Sequence, residues 1–133
     1  MKIAVLPEGP QIEALLKSEE TGPVVMLNLL KFKDRADDGS GLGFEAYARY
    51  AARMRKIVEA AGGRFLWSGR VDSQVIGASD TPFDVVGLVE YPSRSAFLAI
   101  ASSPEVEAIG VDRKAGLEGQ WLIACTAAGL GEE

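Results

Sequence analysis

Between residues 24 and 32 apolar side chains stand at positions of both parities. Val24, Met26, Leu30 and Phe32 share one side with Asn28, and Val25, Leu27 and Leu29 occupy the other. This run predicts a strand that is covered on both faces. Two helices of a small chain cover one face, so the pattern also predicts a sheet that needs a second copy of the chain. Residues 44–61 follow a different period. Phe44, Tyr47, Tyr50 or Ala51, Met54, Ile57 or Val58, and Ala61 recur at helical spacing, with Glu45, Arg49, Arg53, Lys56 and Glu59 largely opposite. Gly62 and Gly63 end that helix.

The remaining elements are read in the same way. Residues 10–19 predict a short amphipathic helix, with Pro10 at its first position and a narrow stripe of Ile12, Leu15 and Leu16. Residues 64–77 read as a long extended segment with Gly69 as a bulge. Residues 83–91 return as an antiparallel strand after a turn at residues 80–82. A helix opens after Pro92 and Ser93, with Phe97, Leu98 and Ile100 as its core residues. A second start at Ser103, Pro104 and Glu105 predicts a helix over about 104–116. Residues 120–126 form the last strand and 127–133 a loose tail. The order β–α–β–β–α–β, preceded by a short extra N-terminal helix, is the ferredoxin-like pattern of an α+β fold. The expectation is a single domain, 1–133, with its core over residues 24–126.

Composition then narrows the partners. A net charge of −5 argues against nucleic acid and anionic membranes, which need a basic face. No apolar run approaches the length of a membrane span. The run at residues 1–6 is broken by Pro7 to Pro10, so no secretory signal is expected. The single cysteine, Cys125, leaves no intramolecular disulfide and no cysteine-rich metal site, and a reducing cytoplasm is the expected compartment. Histidine is absent. That removes Ser–His and Cys–His nucleophiles, histidine metal sites and the usual proton carrier near neutral pH. Acid–base work falls to Asp, Glu, Lys, Tyr or water, and neither metal nor cofactor is expected.

Several segments are also similar to a known bacterial family. Residues 27–33 (LNLLKFK), Tyr47 with Tyr50, Gly62 to Arg64, Gly69, residues 91–97 (YPSRSAF) and Ser103 to Glu105 together resemble the family called domain of unknown function 1330. The resemblance spans residues 24–125. It implies a dimeric α+β barrel, in which two ferredoxin-like sheets pack face to face and each subunit has a pocket between sheet and helices. Relatives in that superfamily include cofactor-free monooxygenases, muconolactone isomerase and haem-degrading enzymes, but the family itself carries no settled activity. Shorter members often have His on the first strand where Asn28 stands here, so a histidine mechanism does not transfer.

Five residues are candidates for ligand binding. Asn28 interrupts an apolar strand; it either orients a ligand or is a structural amide satisfied by its neighbours. Tyr47 and Tyr50 lie on the inward face of their helix, where a hydroxyl can meet a carbonyl or merely keep a wet tip. Trp67 can wall an aromatic ligand, while Trp121 reads as packing. Arg64, Arg70, Arg94 and Arg113 can each hold a carboxylate, and Arg94, at a helix start, is the one singled out. Lys31 lies opposite Asn28 in parity, either snorkelling or pairing with an acid at the dimer seam. Asp84 and Glu90 share one parity and read as a solvated strand edge or a base of raised pKa. The glycine-rich run 39–43 lacks phosphate-loop spacing and reads as a mobile lid. Cys125 reads as inert packing. The functional expectation is a homodimer joined through its sheet face, binding a small apolar or aromatic metabolite, as a cofactor-free oxygenase or isomerase. The alternatives are a non-catalytic binding or sensing module and a structural dimeric adaptor.

Overall fold

The computed structural model describes residues 2–131. Its elements are α1 (Gly9–Leu16), β1 (Val24–Phe32), α2 (Gly43–Ala60), β2 (Arg64–Arg70), β3 (Val85–Tyr91), α3 (Arg94–Ala101), α4 (Pro104–Gly116) and β4 (Leu117–Cys125). The sheet runs β2-β3-β1-β4 with antiparallel neighbours throughout. This is the expected α+β, ferredoxin-like arrangement.

Local chemistry sets the helix starts. Ser93 Oγ accepts from Ala96 N at 3.0 Å, and Ser103 Oγ accepts from Val106 N at 3.3 Å with Pro104 following. Each hydroxyl satisfies a backbone donor that the first turn leaves unpaired. At α2 the Glu45 carboxylate reaches back to Leu42 N at 2.8 Å. Val24 and Met26 of β1 are buried beneath Met54 and Val58 of α2, Ile100 of α3 and Ile109 of α4, and Leu30 is buried farther along β1. Each such side chain contributes about 1.5–3 kcal/mol by leaving water. Leu15 of α1 packs on the same cluster, so all four helices lie on one side of the sheet.

The helix layer is fixed where α2 begins and α4 ends. A Cβ on Gly43 would overlap the carbonyl oxygen of Lys33, and one on Gly116 would overlap that of Gly43. Lys33 N donates to Gly116 O at 2.9 Å, closing the crossing. Gly116 also abuts the backbone of Tyr47. The crossing therefore sets Tyr47 beside the C-terminal turn of α4.

The other face of the sheet carries Val25, Leu27 and Leu29 of β1 and, in register, Val86 and Leu88 of β3 with Trp121 and Ile123 of β4. None of β1's residues on this side is buried, and Trp67 and Ile123 are 59% and 42% exposed. The oily second face read from the sequence is thus a feature of the folded chain.

Several expectations need correction. The segment after Arg64 is not extended to residue 77; β2 stops at Arg70. The irregularity lies between Phe65 and Trp67 rather than at Gly69. Gly69 is instead roofed by the Trp67 indole, which leaves no room for a Cβ. The returning strand starts at Val85 rather than residue 83, and the Asp84 carboxylate just before it accepts from Phe32 N at 2.8 Å. β4 starts at Leu117, ahead of the expected residue 120. Phe44 is 55% exposed and meets Phe32 edge-on at 5.7 Å instead of entering the core. The glycine-rich run is tied down as well as turned: Ala36 N bonds Gly41 O at 2.9 Å, and Arg49 Nη2 bonds Ser40 Oγ at 2.8 Å. Of the expected loose tail, residues 132 and 133 lie outside the described residues.

Candidate functional site

On the helix-facing side of the sheet one row of paired residues is unlike its neighbours. It reads Ser68, Gly87, Asn28 and Leu122 across the four strands. The row beside it, Phe65, Val89, Met26 and Ala124, contributes to the apolar core. Gly87 leaves the flank of Asn28 open: a Cβ placed there would stand 3.9 Å from that of Asn28. Leu122 is 45% exposed, so the helix layer does not close over this end of the row.

Asn28 is half-buried and begins a polar chain. Its Nδ2 donates to Met26 O at 3.2 Å, and its Oδ1 accepts from Gln120 Nε2 at 3.3 Å. Gln120 Oε1 in turn accepts from Arg113 Nη2 at 2.7 Å. The arginine fixes the polarity of the whole chain. A guanidinium only donates, so Gln120 must turn its oxygen to it and its amide hydrogens to Asn28. That leaves one Asn28 N–H and the other Arg113 N–H groups for a further acceptor. No carboxylate among the described residues lies within ion-pair distance of Arg113; its chain neighbour Asp112 faces Arg49 at 3.4 Å and Arg53 at 4.0 Å.

Tyr47 and Tyr50 stand over the same end of α4, with ring centroids 5.3 Å apart, and Tyr47 also packs on Phe32 at 5.2 Å. Their hydroxyls make no hydrogen bond to another described residue. Burial raises both phenol pKa values above the usual range, and the nearby Arg113 charge opposes the rise. Tyr91, on the same side of the sheet, is also raised by burial and by Tyr50. The three phenols remain protonated near neutral pH. They are donors, not bases. The cluster can orient an oxygen and stabilise negative charge on it, but holds no proton acceptor of its own.

The sequence candidates are therefore divided. Asn28, Tyr47 and Tyr50 come to one end of the helix–sheet interface. Trp67 pairs with Leu88 and so belongs to the opposite, open face. Arg94 donates to Thr126 Oγ1 at 2.9 Å, beyond the end of β4. Thr126 adjoins Val24, about 13 Å along β1 from Asn28 at a strand's rise per residue. There Arg94 lines a cleft of about 260 Å³ with Leu15, Ser18, Thr21 and Ser93, and its Nη1 is buried without an acceptor. A second cleft of about 310 Å³ lies between Ile57 of α2 and Ile100 of α3, also away from Asn28.

Other residues fall into structural roles. Arg64 meets Glu90 at 2.9 Å, Arg70 meets Asp72 at 3.6 Å and Lys31 meets Asp84 of its own chain at 3.7 Å. Glu90 lies on β3, an interior strand, and so not at a sheet edge as expected, while Asp84 lies just before β3 with its side chain 41% exposed. Trp121 packs on Phe83 at 5.6 Å, and Cys125 sits opposite Val25 on the open face. The partner that sequence reasoning did not single out is Gln120, and Arg113 had no mark above the other arginines. One signal was present. Asn28 and Gln120 are amides within largely apolar strands, and antiparallel pairing sets them in adjacent rows.

The family model described as Domain of unknown function (DUF1330) matches residues 44–126, which include Tyr47, Tyr50, Arg113 and Gln120. The chain belongs to this family. Among solved structures, the DUF1330 chain is similar to a protein of unknown function from Rhodopseudomonas palustris, at 29% identity and a TM-score of 0.87. That match covers 97% of this chain and 100% of the other. A dabb family protein with a ferredoxin-like fold from Mesorhizobium loti is 18% identical with a TM-score of 0.54, over 81% of this chain and 99% of that one. SnoaB, a cofactor-independent oxygenase from Streptomyces nogalater, is 15% identical with a TM-score of 0.54, over 84% and 99% respectively. The last two likenesses establish the fold alone. No curated protein matches the chain. Among the described residues, no helix is long and apolar enough to cross a membrane.

Proposed function

We propose that this DUF1330 protein is a homodimer that binds a small molecule between its helix layer and its sheet, at Asn28, Gln120, Tyr47 and Tyr50. The observation that carries this reading is the Arg113–Gln120–Asn28 chain, which has donors to spare beside a row left narrow by Ser68 and Gly87. A purely structural amide would spend its hydrogen bonds on its surroundings; this one leaves an N–H over. Small-molecule sites combine apolar walls with a few such convergent polar groups. Dimerisation is supported by the open face of Leu27, Leu88, Trp121 and Ile123. SnoaB, which shares the fold, is a cofactor-independent oxygenase. Donors of fixed protonation suit cofactor-free oxygenation or isomerisation, in which charge gathers on a substrate oxygen.

A metabolite screen by thermal shift tests the site, since a ligand that binds only the native state raises its stability by about 2.7 kcal/mol at one hundred times its Kd. We expect hits that stabilise the native chain and lose their effect on Asn28→Ala, while Trp67→Ala retains it. Hits that stabilise Asn28→Ala as well as the native chain would refute the site. Turnover assays on the hits then distinguish enzyme from binding module.

A further inference from the structure

Resting on the site proposed above, we infer that its ligand is an anion: a small carboxylate or enolate whose negative oxygen lies against the guanidinium of Arg113 and accepts from the Tyr50 hydroxyl. Charge is the reason. Arg49, Arg53, Arg55, Arg64 and Arg70 each lie within ion-pair distance of a carboxylate. Arg113 is half-buried and its hydrogen bond goes to a neutral amide, Gln120. A charge taken partly out of water without a counter-charge is costly, and an anionic ligand would supply what the chain does not.

The surroundings point the same way. Tyr47 and Tyr50 of α2 are near enough to feel the Arg113 charge, and Gln120 of β4 takes its hydrogen bond. Apart from the Gln120 oxygen that accepts from Arg113, these groups have donors to offer, and none brings negative charge. A neutral ligand would satisfy the amides but leave the guanidinium uncompensated. The chain as a whole carries a net charge of −5, so general attraction does not gather anions on it. An anion preference must therefore be local, and Arg113 supplies one beside the amides; Arg94, the other half-buried arginine bonded to a neutral group, lies in the separate cleft at Thr126. A planar fork of N–H groups suits the paired oxygens of a carboxylate or of an enolised carbonyl.

Matched pairs of neutral and anionic probes test this. Benzoate, phenylacetate and salicylate are compared with benzamide, phenylacetamide and salicylamide by saturation-transfer NMR and calorimetry on the full chain. We expect each acid to bind at least about tenfold tighter than its amide, a gap of about 1.4 kcal/mol. Arg113→Gln should bring the acid down to its amide, and Arg113→Lys, which keeps the charge, should retain part of the preference. Circular dichroism establishes that both variants fold. Amides that bind the native chain as well as the acids do, with Asn28→Ala weakening both, would overturn the charge assignment and leave the site standing. If neither acids nor amides bind, or if Asn28→Ala binds both unchanged, the site reading itself fails and the inference falls with it.

Discussion

Asn28 could be picked out of the sequence because one polar residue in an oily strand has few places to go. Arg113 could not: nothing in its local pattern separates it from the seven other arginines of the chain. What singles it out is where α4 ends. The turn from Gly116 into Leu117 folds Arg113 back onto Gln120, seven residues later in the chain, with the hydrogen bond at 2.7 Å. Arg94 was chosen for its helix-start position, which turned out to serve a different cleft. The tyrosines offer a direct readout, because the chain has three and all three are raised. An unfolded tyrosine titrates at about 10. Below that pH both states are protonated and stability is independent of these groups. Above it the unfolded chain loses protons first, so the stability these groups contribute declines as pH rises through the higher native values. We expect chemical denaturation midpoints that are flat from neutral pH to about 9 and fall beyond about 10. Tyrosinate absorbance should be weak at pH 10 in the native chain and strong in urea. Arg113→Gln should raise the native titration of Tyr50 further, since the arginine charge opposes the rise. Native tyrosines that titrate as free tyrosine does would contradict the burial of this cluster.

At the scale of elements, starts marked by side-chain chemistry were legible and ends governed by tertiary contacts were not. The range 104–116 was readable because Ser103 and Pro104 announce it, and α2 because its period is long. The early end of β2 and the early start of β4 follow where pairing with β3 and β1 stops and begins, which is not a local property. The glycines make the same distinction testable. At Gly116 a Cβ meets backbone from α2, which cannot move aside without separating the helices. At Gly87 a Cβ meets ordinary contact at 3.9 Å. Gly116→Ala should therefore cost at least about 1–3 kcal/mol, the range for overpacking. Gly87→Ala should be neutral or stabilise by up to about 1 kcal/mol, since glycine is a poor strand residue. Urea denaturation of both variants checks this. Equal effects would mean that the α2–α4 crossing does not depend on backbone contact. Should ligands be found, a bulkier Gly87→Val should also exclude them from the Asn28 row while leaving the fold intact.

For the molecule as a whole, the pattern at residues 24–32 carried more than a strand assignment. Alternate residues of β1 face opposite layers, and the helices occupy one of them. Val24, Met26 and Leu30 are buried there, whereas Val25, Leu27 and Leu29 are not. A contiguous apolar face of this kind marks an interaction surface, and a two-fold pairing of identical sheets would cover it with its own complement. The proposed site was not legible as a whole, because it combines residues of α2, α4, β1 and β4. The most direct test of the two-subunit molecule is sedimentation equilibrium at micromolar concentration on the native chain and on Leu27→Asp, which sets a charge in the middle of the open face. We expect twice the chain mass for the native protein and the single-chain mass, with lowered stability, for the variant. A native protein that sediments as one well-folded subunit, with Leu27→Asp equally stable, would contradict it.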